Sequence, residues 1–459
     1  MTVTIDILSD DALLEIFSFY LVEEYPTETW HTLVHVCQRW RNIVLGPPHR
    51  LDLRICCTLK TRVKDMLDIW PSLPLVIQAS WYETPREEAA DNVVAALGHN
   101  DRICEILLEG FPRSLLERFG AAMQEPFPAL TSIFITTSDD SVPVAVFPET
   151  FLGGFATHFR SCQLRSLEIP GIWTLLSTAN HLVYLRLPRI PHSTYVSPEE
   201  LTTCLAAMPN LQELAIGFQS PLSRPPRHSS NRDPPPLVRV VLPALTHCTF
   251  KVASEYIEDL VPRIEAPLLE SVHMTFFNQL IFETFDTPRL RDFLSRAQVF
   301  RDHSRGAVVF DEIATRFHLK SRLSLGIACT ESDWQLSSMA QVCSFPLPVF
   351  STLERLDIRE GRMRQSHWQD DVENTQWLEL LRPFIALKDL YLDNKFAPRI
   401  VLVLKELTQE ANLELPALQN IFIEGLRRSG PVQEAIGQFV SARQLCGLPV
   451  VIHKWDGRS

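Results

Sequence analysis

The chain has 459 residues, 46% of them hydrophobic, and a formal net charge of −12 at pH 7. That length holds a substantial core and predicts two or three domains or one repeat array, while the acidic balance speaks against general nucleic-acid binding, which needs a basic footprint. No apolar run reaches the roughly 18 residues of a membrane span, and the opening "MTVTIDILSDDALLEIF" carries acids but no Lys or Arg, unlike a signal or transit peptide. Ten cysteines occur without a C-x-x-C pair and without any N-x-S/T sequon. Reduced thiols in the cytoplasm and/or nucleus are therefore expected.

In chain order, Ser9 before Asp10 and Asp11 predicts an N-cap with two acids in a first helical turn, where the macrodipole favours negative charge. Leu13, Ile16, Phe17 and Tyr20 follow at helical spacing and make one apolar stripe. "EEYPTET" ends that helix. A second one carries Leu33, Val36, Cys37, Trp40 and Val44 on one face and stops at "GPP", residues 46–48. Helices this short bury too little surface to stand alone, so they need the rest of the chain or another protein. His31 and His35 are four apart with Cys37 close by, but no further ligand follows at zinc-site spacing, and no metal is expected. Cys37 and Trp40 read either as filling of a small core or as docking surface.

Together "ILSDDALLEIFSFYL" and "WHTLVHVCQRWRNIVL" resemble an F-box, the short helical module that docks onto the adaptor subunit of SCF ubiquitin ligases. The family pattern runs Leu-Pro-x-Glu-x-Leu, then Ile-Phe, and later Val-Cys-x-x-Trp. Leu8, Asp11, Leu13, Ile16, Phe17, Val36, Cys37 and Trp40 stand at matching positions, and Ser9 replaces the usual proline. The resemblance implies that Leu8, Leu13, Ile16, Phe17, Val36, Cys37 and Trp40 bind the adaptor. The continuation "PHRLDLRICCTLKTRVKDMLDIWPSLPLVI" resembles a segment that follows the F-box in many proteins of mushroom-forming fungi; the two matches cover about residues 5 to 80.

Beyond residue 100 one motif recurs, L-x-x-L-x-L, often after a proline. Copies start at Ile103, Leu130, Leu164, Leu182, Leu211, Leu245, Leu269, Leu353, Leu387 and Leu418, with weaker ones at "LRDFLS" from Leu290 and "RLSLGI" before Ile327. The mean step is about 29 residues, the upper end of leucine-rich repeats. The x-L-x-L alternation marks a short strand with an inward apolar side. Helices are expected between the strands. Thr84, Pro85 and Glu87 form a capping box ahead of the stripe Ala90, Val93, Val94 and Leu97, closed by Gly98. Ser197, Pro198 and Glu200 repeat the device, and Trp377, Leu380, Leu381 and Phe384 lead into another copy.

The expected fold is thus an α+β, α/β-repeat chain: an all-α F-box at 1–50, a connecting segment at 51–82, and an irregular leucine-rich-repeat solenoid at 83–459 with parallel strands on its concave face and helices on its convex face. An ordinary α/β domain is the competing reading. Three stretches leave the repeat and are expected as exposed loops: 220–239 with six prolines, 296–312, and the polar 359–376 around Trp368.

No phosphate-binding, dinucleotide, H-E-x-x-H or nucleophile-elbow pattern occurs. "FLGGF" at 151–155 reads as a bend, and acid pairs such as Asp139–Asp140 as solvated. No catalytic residue and no cofactor is expected. The resemblance implies a non-catalytic substrate-recognition subunit of an SCF-type ligase, holding the adaptor (and through it the cullin) at one end and an unknown target protein at the other. The alternative is an F-box scaffold or protein-binding module acting outside a ligase. Neither nucleic acid nor membrane is expected as a partner.

Overall fold

The computed structural model describes residues 5–20, 26–46, 50–59, 65–67, 70, 73–82, 87–137, 145–147, 160–220 (without 166 and 170), 239–277, 287–296, 304–344 (without 321, 330 and 331), 347–361, 374–407, 415–426 and 431–456. The chain divides into two compact units, Met1–Thr194 and Tyr195–Ser459.

Unit 1 opens with three helices, α1 (Asp10–Tyr20), α2 (Pro26–Val36) and α3 (Gln38–Leu45). A six-stranded sheet follows: β1 (Ile55–Cys57), β2 (Leu75–Ser80), β3 (Ile103–Phe111), β4 (Ser132–Thr137), β5 (Ser161–Arg165) and β6 (Tyr184–Ile190). These strands lie in sequence order and every pairing is parallel. Parallel neighbours need crossovers, and helices α4 (Glu87–Leu97), α5 (Arg113–Ala122) and α6 (Ile172–Leu176) lie in three of them. The α4 stripe is as expected at Ala90, Val93 and Leu97, all buried, with Val94 half-buried. Its expected cap at Thr84 and Pro85 lies outside the described residues. The connecting segment at 51–82 supplies β1 and β2, so the sheet begins at Ile55, where the run "ICC" is buried at every position.

The large sheet has ten described strands in unit 2: β7 (Glu213–Phe218), β8 (His247–Val252), β9 (Ser271–Phe277), β10 (Arg305–Phe310), β11 (Ala314–Leu319), β12 (Leu323–Ala328), β13 (Arg355–Glu360), β14 (Asp389–Leu392), β15 (Asn420–Glu424) and β16 (Val451–Trp455). Their order is β7-β8-β9-β12-β11-β10-β13-β14-β15-β16. The helices are α7 (Pro198–Leu205), α8 (Ser254–Leu260), α9 (Pro288–Arg296), α10 (Ser332–Cys343), α11 (Pro348–Thr352), α12 (Asn374–Leu381), α13 (Ala397–Leu407) and α14 (Pro431–Leu445). The cap of α7 is as read: Ser197 Oγ accepts the Glu200 amide at 3.2 Å, and the Glu200 carboxylate accepts the Ser197 amide at 2.9 Å.

One turn explains the regularity. In several copies the first leucine of the motif donates its amide to the carbonyl three residues back: Leu130 to Phe127, Leu211 to Met208, Leu245 to Leu242, Leu269 to Ala266 and Leu418 to Leu415, at 3.1–3.3 Å. In these five copies the residue after the acceptor is proline, whose fixed φ suits the second position of a β-turn. The next amide reaches the preceding strand, as Thr131 does to Cys104 and Lys388 to Glu354, both at 2.8 Å. Each turn thus buries a leucine and sets the register of the next parallel strand. The result is a leucine-rich-repeat-like array of strand, turn and helix.

Two expectations fail in unit 2. The sheet is not wholly parallel, because β10, β11 and β12 form an antiparallel meander inserted between β9 and β13. The connections at 311–313 and 320–322 are too short for a crossover and can only reverse the chain. The stretch 296–312, expected as a loop, therefore contributes β10. The weak copy at "LRDFLS" is helix α9: Leu290, Phe293 and Leu294 are buried at helical spacing, and the Glu258 carboxylate from α8 accepts the amides of Arg289 (3.1 Å) and Leu290 (2.8 Å). Most of the loops expected at 220–239 and 359–376 lies outside the described residues.

Candidate functional site

The helical module begins where Ser9 caps α1, its Oγ accepting the Ala12 amide at 3.2 Å. From α3, Arg39 clamps the same end, donating to the Leu8 carbonyl at 2.6 Å and to Asp10 at 2.7 Å. Cys37 is the N-cap of α3: its backbone is extended, and its Sγ accepts the Trp40 amide at 3.5 Å. Trp40 lies against Phe17, ring centroids 4.7 Å apart. α2 ties the module to the sheet. Buried Trp30 donates its indole N–H to the Arg54 carbonyl at 2.8 Å beside β1 and meets Trp70 edge-on at 4.9 Å.

The seven residues matched to the adaptor-binding pattern therefore part company. Leu13 and Phe17 are buried within the module, Leu8 and Trp40 are half-buried, and Ile16, Val36 and Cys37 reach solvent. Three apolar side chains beyond that pattern are exposed as well: Ile7 at 71%, Phe19 at 73% and Ile5 at 49%. With Ile16 (49%), Tyr20 (44%) and Val36 (59%) they leave the first helices with six large exposed hydrophobic side chains. A signal for this was present in "LLEIFSFYL", which is apolar on more than one side of a helix, whereas a helix buried on one face needs only one stripe. The considered His31–His35–Cys37 set does not form a ligand cluster: His31 packs against Trp30 and Trp70, and among the described residues no group of three metal-ligating side chains occurs.

A second surface is the open side of the unit 2 sheet. On β13–β16 a ladder of flat groups crosses the strands. The Arg355 guanidinium lies 3.7 Å over the Tyr391 ring, Tyr391 stacks on Phe422 at 4.1 Å, and Phe422 stacks on His453 at 4.7 Å. Asp357 receives two bonds from Arg355 and fixes the guanidinium in place. Burial pushes Cys57, Cys204 and Cys248 up to about 12 and Cys104 to about 11, so these stay protonated at neutral pH.

No protein-family model and no curated protein matches the chain. Among solved structures, it is similar to the leucine-rich repeat-containing protein LegL7 from Legionella pneumophila, over 84% of this chain and 97% of that one, at 12% identity and a TM-score of 0.26. That likeness is slight, and the functional reading rests on this chain's own residues. Among the described residues no helix is long and apolar enough to cross a membrane.

Proposed function

We propose that the chain is a substrate-recognition subunit of an SCF-type ubiquitin ligase, the helical module docking onto the ligase adaptor and the strand-and-helix array holding a target protein. The observation that carries this reading is the exposed apolar set Ile5, Ile7, Ile16, Phe19, Tyr20 and Val36 on a small module that is tied to the sheet through Trp30. Exposed aliphatic and aromatic side chains gathered this way mark a protein interaction site, and the F-box resemblance names the partner. Ser9, where the family pattern has proline, caps the start of α1 through its Oγ. The chain would supply proximity, raising the local concentration of a target's lysines near the ligase, and no bond chemistry of its own. A cytoplasmic or nuclear location belongs to the same proposal.

The test is binding of the full chain to purified adaptor. Phe17 is a poor choice of probe because it is core; Ile16→Asp, Phe19→Asp and Val36→Asp change the surface alone. Each is expected to weaken adaptor binding at least about tenfold, as loss of a buried apolar anchor does, with the circular dichroism spectrum unchanged. A wild-type chain that does not bind the adaptor would instead favour a scaffold acting outside a ligase.

A further inference from the structure

In a chain of net charge −12, the outward side of β8–β13 in unit 2 is a local exception. The pairing register places Lys251, Thr275, Gly326, Arg316, Val309 and Arg359 in one row across six strands. The adjacent row carries His273, Ser324, His318 and Ala307. Cations and imidazoles thus share these rows with small side chains, Gly326, Ser324 and Ala307. At Gly326 an added Cβ would stand 2.9 Å from the Arg316 side chain, so the guanidinium stem lies flat across the glycine. Arg316 is aimed by Asp311 at 2.5 Å, and Asp357, which pairs with Ala307 at the end of the second row, is occupied by Arg355. Arg359 and His273 are exposed. The shared field is felt by His318, which burial first, and then Arg316, His273 and Arg359, push down to about 4 against the opposing pull of Asp311.

We propose that this face binds an acidic segment of a partner protein, an extended stretch whose carboxylates or phosphates lie against Lys251, Arg316 and Arg359 over the low floor of Ser324 and Gly326. Strands about 4.8 Å apart put Lys251 and Arg359 about 24 Å from each other, the reach of roughly seven extended residues. The small side chains let a backbone approach between the cations, and the clustered positive charge selects the sign of what approaches. This deepens the reading that the array holds a target protein. It assigns that target an acidic recognition segment.

The probe is a fluorescein-labelled octaglutamate peptide added to the full chain at low salt, followed by anisotropy. Octaglutamate is expected to bind and octaglutamine not to. The pair Lys251→Glu and Arg359→Glu is expected to weaken binding by about tenfold or more, the Gln versions less, and Arg113→Glu on unit 1 not at all. Equal binding of octaglutamine, indifference to the charge reversals, or equally tight binding of oligothymidylate through the same residues would each overturn the proposal. The reversal variants are expected to keep full affinity for the ligase adaptor. If the wild type fails to bind adaptor yet binds octaglutamate, the ligase reading falls and this one stands.

Discussion

Cys37 carries different physics from the buried thiols of its chain. It is exposed, it caps α3, and its neighbour Trp40 is held by Phe17. A sulfur is a weak acceptor, so Cys37→Ser is expected to preserve or improve the cap, while Cys37→Ala costs about 1 kcal/mol in urea unfolding. Of the ten cysteines only Cys37 and Cys446 are exposed. Two thiols are therefore expected to react quickly with an aromatic disulfide in the native protein, half-buried Cys104 more slowly, and the other seven only on denaturation; fast reaction of more than three would contradict the burial of Cys56, Cys57, Cys162, Cys204, Cys248, Cys329 and Cys343. His318 gives a pH dependence of known sign. An unfolded histidine titrates near 6.5, and this one is pushed down to about 4 in the fold, chiefly by burial. The unfolded chain therefore takes up the proton first. Stability from this residue falls as pH drops from about 6.5 to about 4 and levels below that. His318→Gln is expected to flatten this part of the urea-midpoint profile, and an unaltered slope would assign the acid sensitivity elsewhere.

Helix α9 shows how far an element depends on a single distant group. Its first amides, at Arg289 and Leu290, are met by the Glu258 carboxylate of α8 rather than by a residue of its own sequence. Glu258→Ala leaves buried donors without that acceptor and is expected to lower stability by about 1–3 kcal/mol, Glu258→Gln by less, read from chemical denaturation. The same helix marks the limit of what the sequence conveys. "LRDFLS" offers leucines that suit a strand motif and a helical stripe equally, and the choice was made by Pro288 and by Glu258, which lies thirty-two residues from Leu290. By contrast the turn prolines, the Ser197 box and the x-L-x-L alternation were legible because each is settled within a few residues. The meander β10–β12 was not, since short apolar strands carry no mark of whether a neighbour runs parallel or antiparallel. The helical module was legible in part: α1 was expected, but the single second helix expected to carry Leu33, Val36, Cys37, Trp40 and Val44 is broken into α2 and α3, with Cys37 capping the second. Which side chains face outward was not legible, because Leu13 and Phe17 have the spacing of contact residues and are used instead as core.

At the scale of the whole molecule, repeat-like arrays are held by contacts between neighbours, so a local loss need not reach the far end. The chain divides at Thr194, and within unit 1 the helical module is fastened to the sheet by Trp30, buried, hydrogen-bonded to the Arg54 carbonyl and packed on Trp70. Replacing a buried tryptophan by alanine costs about 3–5 kcal/mol. Trp30→Ala is therefore expected to destabilise α1–α3 and β1–β2, and with them the presentation of Ile16, Phe19 and Val36. The strands β13–β16 have their own core at Leu356, Leu390, Ile421 and Ile423, all buried, and do not draw on Trp30. Hydrogen exchange read by mass spectrometry separates the outcomes. Faster exchange confined to residues of unit 1 would show two units that open independently, and it would let adaptor binding fail while octaglutamate binding persists. Equal acceleration in β13–β16 would mean that the chain unfolds as one cooperative body, and the loss of either binding activity could then no longer be assigned to its own surface.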